Sequence, residues 1–300
     1  MRIEIILEWL EERGYDFVFV GNKQKEIDGF SSLANYKEDS LTWIKREENY
    51  NGLKSPGNIS CAVVERGINI DLKNMIITDN SKEVFFAILH EFWGEKSMEG
   101  FIGQGSVISE CAEIDSTVTV GCNCTIDGRV IIGAHTTIEH NVVIQGNVRI
   151  GKNCHIQSET VIGIDGFGYS IEQDSGKKRM IEHFGGVVIG NDVFIGSQVN
   201  IARGTIDDTV IGNGVKIAPS SHIGHNNVVG DNTTIICSSL YGSAETGAGS
   251  YITASTIKNQ TRIGEHTVIG MGSVVTKDIG DNLVAYGIPA KAVKINESKL

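Results

Sequence analysis

From Ile102 onward an aliphatic residue stands at every sixth position, through Ile108, Ile114, Val120, Ile126, Ile132, Ile138, Ile144, Ile150, Ile156 and Ile162. The rhythm resumes at Ile189, Ile195 and Ile201, then at Ile211, Ile217, Ile223, Val229 and Ile235, and again at Ile257, Ile263, Ile269 and Val275. Six matches neither the 3.6-residue turn of a helix nor the two-residue alternation of an open strand. It suits a short strand and a turn repeated around a solenoid, each aliphatic side chain pointing inward and stacking on its neighbour one coil away. A glycine often follows the inward residue, as at Gly121, Gly133, Gly151 and Gly196, where a missing Cβ relieves a crowded corner. Burying one such isoleucine is worth roughly 1.5–3 kcal/mol before entropic losses, so the column supplies its own driving force.

The chain has 300 residues and 40% hydrophobic content, enough for one large domain and a small one. Residues 1–97 read as a small α/β domain. Helical spacing runs from Ile3 to Glu12, short strands from Cys61 to Val64 and from Met75 to Thr78, and Ser81 opens a capped helix that reaches Trp93. The stretch GEKSMEG at 94–100 makes a linker, residues 98–281 form the solenoid with a loop insert at 163–186, and residues 282–300 form a C-terminal cap or tail.

A formal net charge of -11 without an extended Lys/Arg block argues against nucleic acid and against a polybasic membrane patch. The opening MRIEIILEWLEERGYDF is broken by acidic residues, so it is neither a signal peptide nor a span, and no membrane insertion is expected. The six cysteines lack a CxxC pair or a disulfide-rich spacing. A cytoplasmic protein with free thiols and no metal site is therefore predicted, with Cys122 and Cys124 as packing groups inside the repeat.

The interruptions of the repeat carry the functional signal. The insert GIDGFGYSIEQDSGKKRMIEHFGG at 163–186 is an ejected loop beside a stiff solenoid, a usual place for a specific site. Its DGFG segment is either a tight turn with an anchoring Phe167 or, with Asp165, part of a substrate pocket. The next segment runs VVIGNDVFIGSQVNIARGTIDDTVIGNGVKIAPSSHIGHN. The repeat resembles that of the hexapeptide-repeat acyltransferases, whose fold is a left-handed parallel β-helix with three hexapeptides to the coil. Order and spacing from DGFG to IGHN resemble the UDP-3-O-acylglucosamine N-acyltransferases of lipid A biosynthesis, and equally their relatives that N-acylate nucleotide-linked aminodeoxysugars. The likeness extends into the first domain through SSLANYKEDSL at 31–41 and TDNSKEVFFAIL at 78–89. It implies a homotrimer, a leading domain that contacts the nucleotide, and base contacts from Asn35 and Tyr36.

Within Ile223-Gly224-His225-Asn226, His225 matches the histidine of the family's I-A-H-N stretch, which implies a catalytic role. A neutral imidazole suits a general base, since its unperturbed pKa of about 6.5 leaves it able to accept a proton near pH 7. The developing oxyanion needs a fixed N–H donor. Eighteen residues to a coil carry the count from His225 to Ser243, which makes Gly242 and Ser243 the candidates. Asn226 is a candidate substrate contact. His222 replaces a glutamine of the lipid A enzymes and either binds substrate, supports the pocket electrostatically or is a structural surface residue. Asp207 and Asp208 either orient the histidine or cap a turn. His90, His135, His140, His155, His183 and His266 read as surface or contact groups.

The donor is read from TVIGMGSVVTKDIGDNLVAYGIPAKAVK, which resembles the closing coil of coenzyme-A-dependent hexapeptide transferases. By that resemblance Gly287, Ile288, Pro289 and Lys291 meet the coenzyme; otherwise this turn only caps the solenoid. The lipid A enzymes use acyl carrier protein and usually continue into a helical C-terminal segment, whereas about ten residues follow Ala290. The expectation is therefore N-acyl transfer from an acyl-coenzyme A thioester to a nucleotide-linked aminodeoxysugar, carried on thymidine diphosphate. The alternatives are the lipid A pathway enzyme itself with an acyl carrier protein donor, and a noncatalytic solenoid scaffold.

Overall fold

In the computed structural model, Ile126 pairs with Ile144 and Ile144 with Ile162 on successive parallel strands, so the same inward position recurs one coil further on. The structure describes residues 1–52, 56–94 and 99–297. The chain divides into two units, Met1–Lys96 and Ser97–Leu300. Residues 95–98 of the expected linker lie outside the described residues.

The larger unit is a left-handed parallel β-helix. Its strands are short, as in Thr137–Ile138, Val143–Gln145 and Val148–Ile150, and stack into three parallel sheets around one continuous aliphatic core. Corners are tight: a Cβ on Gly133 would lie 2.8 Å from the Gly151 carbonyl carbon. At many corners the chain passes through a left-handed residue, often asparagine, as at Asn123, Asn141 and Asn232. The antiparallel hairpin Leu283–Gly287 and Ala290–Ile295 closes the last coil.

Two features of the column depart from the periodicity. Ile102 is 55% exposed, because it begins the column and only Val120 bridges to it. Between Ile235 and Ile257 the inward positions are not missing: Leu240, Thr246 and Ile252 hold them, all buried. The coils there are one residue shorter, with Ile223 on Leu240 and Leu240 on Ile257. Cys237 and Ala254, both with positive φ, stand where the chain turns between Ile235 and Leu240 and between Ile252 and Ile257.

Two segments leave the column on neighbouring coils. The first, after Ile162, carries the hairpin Tyr169–Ile171 and Lys178–Met180. The second lies between Asn200–Ala202 and Thr209–Ile211, and it stitches down the return limb of the first. Phe184 and Gly185 donate their amides to the carbonyls of Thr205 and Gly204 (2.8 and 3.0 Å), and Arg203 Nε donates to the Gly185 carbonyl (2.7 Å).

The smaller unit is a five-stranded sheet in the order Val18–Val20, Met75–Thr78, Cys61–Glu65, Ser40–Ile44, Gly29–Phe30, with helices Ile3–Glu12 and Ser81–Trp93 packed over one core. Ser81 is not the cap of its helix. It is the first helical residue, and the Glu65 carboxylate of the adjacent strand accepts its amide (3.0 Å) and its hydroxyl. Burial pushes the Cys61 thiol up to about 12, so this cysteine is a packing group. Cys124 is likewise buried, its Sγ against the Glu139 carbonyl. Among the described residues no helix is long and apolar enough to cross a membrane.

Candidate active site

The coil that bears His222 and His225 lies against the first ejected loop, and between them is a pocket of about 650 Å³. Asp165, Phe167, His222, His225, Gly242 and Ser243 all line it, so six of the expected residues meet at one place. Phe167 is 78% exposed and is therefore no buried anchor of a turn. Asn200, Tyr241, Asn259 and Gln260 are further polar residues of the wall. They escape the sequence reading because the ejected segments and short coils break the eighteen-residue count that would have aligned them with the histidines.

His225 is held from behind by Asn226. The Asn226 side chain has its orientation set by three bonds: Nδ2 donates to the Asp207 carbonyl (2.9 Å), and Oδ1 accepts from the amide and hydroxyl of Thr205 (3.0 and 2.9 Å). Oδ1 also lies 3.0 Å from His225 Nδ1. An amide oxygen only accepts, so Nδ1 is protonated, and in the neutral ring the lone pair is on Nε2. The Asn226 side chain, expected as a substrate contact, is thus engaged by Asp207, Thr205 and His225. The Asn226 backbone is left-handed, with φ 58°.

The two aspartates divide the expected roles between them. Asp207 contributes its backbone carbonyl to Asn226, while the Asp208 carboxylate accepts the Gly186 amide at 2.6 Å and fixes the end of the loop. Neither carboxylate has a hydrogen bond to His225 among the described residues.

The short coil corrects the oxyanion count. Because His222 pairs with Ser239 and Ile223 with Leu240, the residue stacked on His225 is Gly242. A Cβ at Gly242 would lie 2.4 Å from His225 Nε2, so only glycine leaves room for the ring. The Ser243 N–H is occupied by the His225 carbonyl (2.8 Å), which removes it as a donor. Among the described residues nothing accepts the Gly242 N–H.

His222 stands on the strand His222–Ile223, half-buried, with its ring 6.5 Å from that of Tyr241. Burial holds its imidazole below the ordinary histidine range, which keeps it neutral. His222 lines the pocket, where a neutral imidazole can accept or donate one hydrogen bond.

The remaining expected contacts lie elsewhere. Gly287, Ile288, Pro289 and Lys291 form the turn and first residues of the closing hairpin, where Gly287 faces Ala290 and Tyr286 faces Lys291. They are not part of the pocket wall. Asn35 and Tyr36 belong to the smaller unit. The Tyr36 hydroxyl donates to the Ser40 carbonyl and accepts the Ser60 amide, both at 2.7 Å, so it is committed to the fold. That unit has a cavity of about 390 Å³ lined by Thr42, Trp43, Lys45, Arg46 and Phe85 among others, and a second of about 570 Å³ lined by Tyr36, Asp39, Asn58, Ser60 and Asn74 among others; Asn35 lines neither. The Thr42 hydroxyl is buried at the first of these without a partner among the described residues.

Comparison with known proteins gives a consistent set of relatives. Residues 129–163 match the family model described as bacterial transferase hexapeptide (six repeats). The UDP-3-O-acylglucosamine N-acyltransferase of Delftia acidovorans is 36% identical over 275 residues, which cover 89% of this chain and 81% of that protein. The enzyme of the same name from Coxiella burnetii is 50% identical over 84 residues, 28% of this chain and 24% of its own length. Among solved structures, the UDP-N-acetylglucosamine acyltransferase of Francisella novicida superposes with a TM-score of 0.60 at 26% identity, covering 66% of this chain and 72% of that one.

Proposed function

The chain belongs to the family of the UDP-3-O-acylglucosamine N-acyltransferases, and from that premise we propose that it moves an acyl group from an acyl carrier protein thioester to the amino group of a UDP-linked aminosugar. Membership overturns two expectations. The thymidine-diphosphate acceptor gives way to a UDP-linked one, and acyl-coenzyme A gives way to acyl carrier protein, the donor of the lipid A enzymes that the sequence resembles. The reason lies in how much of the chain each inference weighed. A match over 89% of the chain engages both units, whereas the coenzyme was read from one terminal turn and the length of the tail beyond it.

One observation carries the reading: Asn226 Oδ1 accepts the Nδ1–H of His225, which in the neutral ring leaves the lone pair on Nε2, and His225 lines the pocket together with Gly242, whose N–H has no acceptor among the described residues. In the proposed step the sugar amine attacks the thioester carbonyl carbon. The new C–N bond forms, the C–S bond breaks, and Nε2 takes the amine proton and delivers it to the departing sulfur. The Gly242 N–H is the candidate donor to the oxyanion in between. His222, Asp165 and Phe167 are proposed to hold the acceptor. In the smaller unit, the Trp43 and Phe85 cavity is proposed to take a planar base, with Lys45 and Arg46 near for phosphate charge, as a candidate alongside the cavity that Tyr36 lines.

Incubating the purified protein with UDP-3-O-acylglucosamine and acyl carrier protein thioesters should release free thiol and give an N-acyl product by mass. Acyl-coenzyme A with thymidine-diphosphate aminosugars serves as the comparison, and product from that pair alone would sink the proposal. Gly242→Ala tests the geometry. The added methyl overlaps the His225 ring, so turnover should fall about 10²-fold, the cost of misplacing a reacting group by roughly 1 Å; an unchanged rate refutes the stacking.

A further inference from the structure

His183 is the unexplained half of the His225 environment. It lies on the return limb of the ejected loop, where its neighbours Ile181 and Phe184 are 45% and 72% exposed. His183 itself is 2% exposed. A chain that turns an imidazole inward and leaves a phenylalanine outside reverses the usual preference, which points to a specific partner for the ring.

That partner is His225. The two rings stand edge to face, with centroids 5.4 Å apart and planes at 80°. Nδ1 of His183 lies 3.0 Å from the Ile181 carbonyl, which only accepts, so the ring is tethered by an Nδ1–H donor. Its Nε2 is buried without a partner among the described residues. Gly166, on the outgoing limb, closes the arrangement: a Cβ there would lie 2.8 Å from His225 Cβ and Cδ2, and 2.9 Å from His183 Nε2. The two limbs of one loop thus converge on the His225 ring.

We propose that His183 is a positioning residue, which holds the His225 ring so that Nε2 stays over Gly242 and aimed into the pocket. The inference rests on the role given to His225 above. Asn226 fixes one nitrogen of that ring but leaves rotation about the axis of the bond unopposed, and the His183 ring and Gly166 fill the space into which it would swing. The ejected loop then has a mechanical duty separate from touching substrate.

The test is steady-state kinetics on His183→Ala and His183→Phe, with acyl carrier protein thioester and UDP-3-O-acylglucosamine. His183→Ala should lower kcat by about 10–10²-fold through loss of alignment, with KM for both substrates within about twofold. His183→Phe restores a ring of similar size and should recover most of kcat. Histidine-selective NMR on the wild-type protein supplies a measurement independent of any variant's folding, and should detect contact between the ring protons of His183 and His225. Normal kcat in His183→Ala, failure of phenylalanine to improve on alanine, or absence of the ring contact would each overturn the proposal. His225→Asn measured in parallel separates the two claims: if it is active the base assignment fails, and if it is dead while His183→Ala is normal only the positioning role fails.

Discussion

Replacing His225 by asparagine lowers turnover about 10²–10⁴-fold, the range for removal of a positioned general base, while the fold is retained. The position tolerates the change structurally because the ring lies at a corner and lines the pocket, outside the aliphatic column. Its backbone carbonyl still accepts the Ser243 amide, so the stacking of the coil survives. Thiol release with substrate in excess measures the loss, and circular dichroism checks the fold. Unchanged turnover in folded protein rejects the base assignment. His222→Gln is the informative companion, since it restores the residue of the lipid A enzymes at a pocket position that burial keeps neutral. An equal loss there would mean that the two imidazoles act together.

The solenoid is legible in the chain because stacking forces one inward aliphatic residue per face, and that demand survives in the sequence without any knowledge of the corners. The corners are where legibility ends. Whether a coil takes eighteen residues or seventeen depends on backbone turns such as those at Cys237 and Ala254, which no hydrophobic pattern records. That single residue is the difference between Ser243 and Gly242 beneath His225. His225 itself is found through its motif, but its orientation is not, because Thr205, Asp207 and Asn226 come together only when the second ejected segment folds across the neighbouring coil. His183 is invisible for the same reason: its burial comes from the loop's return path, not from its neighbours in sequence. The donor went astray by another route, since it was read from the Gly287 to Lys291 turn and the tail beyond it, whereas the family likeness spans both units.

The column should be the most sensitive part of the larger unit, and two neighbouring isoleucines isolate the effect. Ile131 and Ile132 lie on one strand, Val130–Ile132, and point to opposite faces: Ile131 is 42% exposed and Ile132 is 2% exposed. Truncating a buried isoleucine costs about 2–5 kcal/mol. Asparagine at position 132 adds an unsatisfied amide between Ile114 and Ile150, worth a further ~1–3 kcal/mol. Ile132→Asn therefore removes a large share of what an ordinary domain has, given that native stabilities are roughly 5–15 kcal/mol. Ile131→Asn changes the same strand by about 1 kcal/mol or less, the span of strand preference on an open face. Urea unfolding followed by circular dichroism reads the contrast. Because coils contact mainly their neighbours, the loss should appear first as local opening around Ile114, Ile132 and Ile150, seen as faster amide exchange there than at Ile257 or Val275. Equal destabilisation by the two substitutions would mean that the inward and outward faces are not distinct, and the six-residue rhythm would lose its physical meaning.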